Sequence, residues 1–153
     1  MSAEEISNRI GNEIWQQYFK FCVIRNPYEK VLSAFFHFVV FQNQITEGRP
    51  LLIAIFREWV RTVPEEFYDR DKYFLDGKIC IDFFIRFENL NNDLSEACQH
   101  LNMPYEPDSL SRLKSHIRPA NAHVGDFYNF AATDIVNHLF EFEFDYFGYE
   151  KML

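Results

Sequence analysis

The sequence is poor in the residues that build metal, redox and membrane devices. Its three cysteines, Cys22, Cys80 and Cys98, lie far apart with no Cys-x-x-Cys spacing. An odd count without paired spacing argues against a disulfide framework and for a reducing compartment. Cys22 and Cys80 stand in apolar segments, where a free cysteine serves as a small hydrophobe. The histidines at 37, 100, 116, 123 and 138 form no HExxH or other ligand-like pair, so no metal site is expected. No Ser, His and Asp spacing specifies a hydrolase. There is no N-terminal apolar h-region and no run near membrane-span length, which makes cytoplasmic the simplest localisation and leaves no membrane partner to expect. Positive charge is also short: the net charge of −8 and pI near 5.1 argue against nucleic acid or an anionic membrane as the main partner. Between Met1 and Tyr18 the one glycine is Gly11, and no Gly-rich turn leads into Lys-Ser or Lys-Thr, so a phosphate cradle of that kind cannot be drawn there.

What the chain does have is apolar bulk. At 153 residues it has the length of one domain, and 48% hydrophobic residues supply a core. Eighteen Phe and eight Tyr point to an aromatic core, with surplus rings left to cover a sheet edge or to meet a second copy in a homo-oligomer. The acidic balance does not exclude a small anion. Lys20, Arg25 and Lys30 make a basic island opposed in sequence only by Glu29.

That island lies in the stretch around which the rest is organised, Lys20 to Phe36. Phe21 to Ile24, with β-branched Val23 and Ile24, reads as a buried parallel strand, and Arg25 stands at its carboxyl end. Asn26 is a good N-cap, Pro27 suits the first helical position, and Glu29 is placed to complete a capping box. Val31, Leu32, Phe35, Phe38 and Val39 give the helix one apolar face. Ser33 lies about two turns in, a rise of about 10 Å, so a long Arg25 side chain folding back can share a phosphate with its hydroxyl. Arginine matches phosphate oxygens bidentately and serine adds one donor. The carboxyl ends of strands are also where open α/β sheets bind ligands.

Before this stretch, Ile6, Ile10, Ile14 and Tyr18 at spacing four predict one amphipathic helix over Glu4 to Tyr18. After it, Gln42 to Pro50 reads as a loop and Leu51 to Thr62 as a helix with a Leu52, Ile55, Phe56, Trp59 stripe, ended by Pro64. Asp76-Gly77 is a turn signal ahead of a strand over Cys80 to Phe87. Asn91 or Asn92 caps a helix through Cys98 and Leu101. Pro104 to Phe130 is loop-rich apart from a short helix at Ser109 to Lys114, and Val136 to Tyr149 reads as a final helix.

The RNPY segment Arg25 to Tyr28 with Ser33 and Phe35 resembles the 3′-phosphate segment of sulfotransferases, above all the carbohydrate-sulfotransferase branch. The lead-in from Trp15, the block Ile81 to Leu90 with Arg86 and Glu88, the run Asp93 to Pro104 and the ending Asp145 to Tyr149 follow in the same order, so the resemblance spans about Trp15 to Tyr149. It implies an α/β domain with a small, mainly parallel sheet flanked by helices, of the P-loop NTPase-like sulfotransferase kind and N-terminally truncated, because the 5′-phosphosulfate loop and the general base lie upstream in that family. Lys30 stands where the family often has arginine, keeping the charge but losing the fork. The implied activity is transfer of a sulfuryl group from PAPS to a hydroxyl or amine acceptor, a carbohydrate first among them, with PAP as product. The absence of the 5′ loop leaves both an active and an inactive chain open. Arg25 and Ser33 are the implied donor contacts. Lys114 and Arg118, in the next most basic segment, are second. Arg57, Trp59 and Arg61 fall where relatives shape the acceptor pocket, although a core Trp59 and solvated arginines are the plainer reading. Arg86 and Glu88 read as a strand-end ion pair or capping network, and His37 as a packed or capping histidine. Two alternatives stand beside the enzyme: a non-catalytic PAP- or nucleotide-binding module, and an oligomeric interaction protein in which the RNP turn only starts a helix.

Overall fold

The computed structural model of the chain describes residues 1–62, 65–107, 110 and 117–153. The stop expected at Pro64 and, Leu110 apart, the helix expected at Ser109 to Lys114 lie outside the described residues. In chain order the elements are α1 (Ala3–Ile10), α2 (Asn12–Gln17), β1 (Phe21–Ile24), α3 (Pro27–Ala34), a π-helix (Phe35–Phe41), α4 (Arg49–Trp59), α5 (Arg70–Tyr73), β2 (Phe74–Leu75), β3 (Lys78–Ile79), β4 (Phe83–Arg86), α6 (Leu90–His100), α7 (Val124–Phe127), α8 (Phe130–Leu139) and α9 (Glu141–Phe147). The architecture is α/β, with a small parallel sheet flanked by helices. Residue contacts group the chain into two compact units, Met1–Arg25 with Tyr68–Ser111 and Asn26–Phe67 with Arg112–Leu153.

The first unit holds both sheets. β1 and β4 pair in parallel, Phe21 opposite Phe83 through Ile24 opposite Arg86, and β2 and β3 form a hairpin. Asp76 and Gly77 both adopt positive φ, 52° and 72°, as the tight turn signalled by Asp-Gly requires. The expected strand over Cys80 to Phe87 is shorter than its apolar run: Cys80 donates back to the Tyr73 carbonyl, and Asp82 breaks the run by accepting from the Lys20 backbone N–H at 2.7 Å. Contrary to the buried strand expected, β1 buries one side only. Ile24 is buried while Phe21 and Val23 are 47% and 49% exposed.

The single helix expected over Glu4 to Tyr18 is two helices. Gly11 takes φ +84° and separates α1 from α2, and Ser2 starts α1 with a complete capping box to Glu5. The break turns the spacing-four stripe away from the core: Ala3 and Trp15 are buried, whereas Ile10, Ile14 and Tyr18 are exposed. α6 begins at Leu90 with Asn89 as its N-cap residue, ahead of the expected Asn91 or Asn92.

The second unit is a helical assembly around aromatic rings. α3 starts at Pro27, as expected, and the Asn26 side chain accepts from the Tyr28 and Glu29 backbone N–H groups. Its Val31 and Leu32, and Phe35 just beyond its end, are fully buried. Beyond Ala34 the helix widens to a π-helix, which rotates the following side chains, so Phe36 is buried and Phe38 is 43% exposed. Phe35 lies at the centre, its ring 5.4 Å from Phe36, 5.3 Å from Phe56, 5.6 Å from Trp59 and 6.4 Å from Phe127. The final helix expected from Val136 to Tyr149 is also divided, because Phe140 leaves helical geometry at φ −108°, ψ 23° between α8 and α9.

Truncating Phe35 to Ala removes the ring on which this cluster converges. It is expected to cost about 3–5 kcal/mol, and Asn26→Ala about 1 kcal/mol through the lost cap, both read from urea unfolding curves.

Candidate functional site

Arg25 follows β1 directly and closes the first unit. The parallel pairing with β4 brings Phe87, the residue after β4, beneath it, and the Arg25 guanidinium lies 4.4 Å from the centre of that ring. A guanidinium over a ring is held by cation–π attraction, and its planar fork of donors is the shape that matches phosphate oxygens. Ser33 belongs to the second unit, on α3, and is half-buried. Lys114 lies outside the described residues.

The basic island of the sequence is more nearly balanced in the fold. Lys20 Nζ is 2.9 Å from Asp82, accepts no role as an open cation, and also donates to the Tyr18 carbonyl at 2.7 Å while lying 5.6 Å from the Trp15 ring. Lys30 Nζ sits 5.6 Å from the Phe140 ring. The Glu29 carboxylate is engaged by Arg118 Nη1 at 2.5 Å. Arg118 further donates from Nε and Nη2 to the Ala122 carbonyl at 2.9 and 2.5 Å. Its fork thus fastens the loop before α7 to the first turn of α3.

The acceptor-side candidates are structural. Arg57 donates to the Phe127 and Asp126 carbonyls, Trp59 packs on Phe35 and Phe56, and Arg61 pairs with Glu58 at the surface. Arg49 pairs with Asp126, so α4 holds α7 from two points. At the end of β4 the network is carried by Asp93, which accepts from the Arg86 backbone N–H at 2.7 Å and from the Asn89 side chain at 2.6 Å. His37 stacks beside Phe41 and meets Phe38 edge-on. Burial pushes the Cys80 thiol above its ordinary pKa.

Sequence reasoning missed what surrounds Tyr28. This side chain is 3% exposed, its ring 5.2 Å from Tyr128 and 5.0 Å from Phe144. The Tyr128 hydroxyl donates to the Tyr28 carbonyl at 3.0 Å. The Tyr28 hydroxyl donates to Asn137 Oδ1 and accepts from the Met152 backbone N–H at 2.8 Å. Tyr28 was visible as part of the RNPY segment, but nothing near Tyr128 or Asn137 in sequence marks them as its partners.

Burial holds the Tyr128 phenol well above its ordinary pKa, reinforced by Tyr28 and Glu29 and opposed by Arg118. It also raises that of Tyr28, against the Met152 N–H, Lys151 and Asn137. In the unfolded chain both phenols ionise near pH 10, so above that pH the unfolded state binds fewer protons than the folded one. Stability should therefore be complete below about pH 10 and fall as the pH rises beyond it. Urea midpoints between pH 8 and 11 check this, with a shallower fall expected for Tyr128→Phe. Glu29→Gln and Arg118→Met should each destabilise the chain, and their double-mutant cycle should show a favourable coupling of roughly 1–3 kcal/mol.

No family model matches the chain, and no solved structure matches it. It is similar to an uncharacterized protein of Archaeoglobus fulgidus, 28% identical over 114 residues that cover 71% of this chain and 88% of the relative.

Proposed function

We propose that the chain is a sulfotransferase-like protein that binds PAPS, or its product PAP, by the 3′-phosphate, with Arg25 as the principal anchor and Ser33 as a further donor. In the reaction this implies, the S–O bond to the donor's 5′-phosphate breaks while a new bond to sulfur forms from an acceptor hydroxyl or amine. The acceptor's proton leaves and PAP remains. Such a transfer rests on positioning and charge stabilisation, and Arg25 and Ser33 serve it by binding the donor. A carbohydrate acceptor and the P-loop NTPase-like fold belong to the same reading. Lys114 and Arg118 are its second-tier donor contacts, and Arg118 would have to exchange Glu29 for phosphate to act as one.

The observation that carries the reading is Arg25 itself, at the carboxyl end of a strand in a parallel pair, with its guanidinium 4.4 Å from the centre of the Phe87 ring. A specific observation favours a second reading. The exposed Phe21 and Val23 suit an interaction module, nucleotide-binding or oligomeric, that carries out no transfer.

Calorimetric titration with PAP, using AMP as the ligand without a 3′-phosphate, tests the first reading. PAP should bind saturably and AMP should not. Arg25→Ala and Ser33→Ala should each weaken PAP, Arg25→Ala by roughly 1.5–3 kcal/mol, the value of a hydrogen bond to a charged group. A folded chain that gives no heat at millimolar PAP would overturn it, and a dimer seen by light scattering would then favour the second.

A further inference from the structure

α9 ends in a way that sends the chain back across the second unit. Gly148 adopts the left-handed conformation, φ 67° and ψ 33°, and both its N–H and that of Tyr149 return to the Phe144 carbonyl, the latter at 3.1 Å. Lys151 then pairs with Asp145 at 3.0 Å and lies 5.8 Å from the Phe144 ring. One residue later the backbone is gripped on both sides: Met152 donates its N–H to the Tyr28 hydroxyl at 2.8 Å, and its carbonyl accepts from Asn137 Nδ2 at 3.2 Å. The Tyr28 hydroxyl donates in turn to Asn137 Oδ1, which closes a ring of hydrogen bonds.

We infer that residues 149–152 form a strap whose docking sets the order of the first turn of α3. The grip reads backbone, not the Met152 side chain, so it requires an extended segment at that place and little else. Its receptor, Tyr28, is also the residue whose own N–H is capped by Asn26 and whose carbonyl is held by Tyr128. Releasing the strap leaves the Tyr28 hydroxyl without its backbone donor inside a buried site. It thereby loosens the turn that follows Arg25. Polar groups linked in one network answer changes together, so the strap and the turn should open as a unit.

Amide hydrogen exchange on the full-length chain separates this from a passive tail. Met152→Pro removes the strap's donor, together with the Met152 side chain and some backbone freedom at residues 151 and 152, and leaves every side chain of α3 in place. The Glu29, Lys30 and Val31 amides should then exchange about tenfold faster. Tyr28→Phe, which keeps the ring and deletes the hydroxyl, should accelerate both these amides and that of Met152. The double variant should exchange no faster than Tyr28→Phe, because both changes break the same bond. The inference is overturned if Met152→Pro leaves the α3 amides unchanged, if the Met152 amide of the unaltered chain exchanges at the unprotected rate, or if the two substitutions act additively. None of these readouts depends on whether the chain binds PAP.

Discussion

The second unit depends on how the first turn of α3 is held. A helix start has unsatisfied N–H groups and few contacts of its own, and here Asn26 caps it while three distant parts of the chain secure it. Arg118 grips Glu29, Tyr128 grips the Tyr28 carbonyl, and Asn137 with Met152 grips the Tyr28 hydroxyl. Each bond is of modest net worth, but each satisfies a group that burial would otherwise leave costly. The aromatic cluster around Phe35 then continues the same helix into the core. A short polar turn is thus fixed at both ends, by hydrogen bonds ahead of it and by rings behind it.

The same arrangement sorts the cations. In the first unit Asp82 takes Lys20, and in the second Glu29 takes Arg118. Arg25 also has a ring contact, its guanidinium carbon lying 4.4 Å from the centre of the Phe87 ring. A net charge of −8 does not by itself exclude a small anionic ligand, since the local field, not the total, acts at a contact.

Local signals in the sequence were sufficient for local structure. Phe21 to Ile24 as a strand, Pro27 as a helix start capped by Asn26, and the Asp76-Gly77 turn follow from backbone chemistry that operates within a few residues. Where a face had to be chosen, periodicity misled. Ile6, Ile10, Ile14 and Tyr18 make a regular stripe, but Gly11 ends α1 and Trp15 is the side chain that α2 buries. The widening after Ala34 changed the face again, exposing Phe38 and burying Phe36. Asp82 was readable only as an interruption of an apolar run, since its partner Lys20 lies 62 residues away. The same holds for Tyr28, whose partners Asn137 and Met152 are 109 and 124 residues distant. Resemblance to sulfotransferases pointed to Arg25 and Ser33 by motif order, while the ring beneath Arg25 emerged only from the pairing of β1 with β4.

The measurement that tests the central claim most directly is a nitrogen-15 NMR titration of the chain with PAP, following the Arg25 Nε–H and the amides of residues 24–33. The account predicts that the Arg25 side-chain signal and the Ser33 amide move together along one binding curve, and that AMP moves neither. PAP-induced shifts confined to other parts of the chain, or identical responses to PAP and AMP, would contradict it.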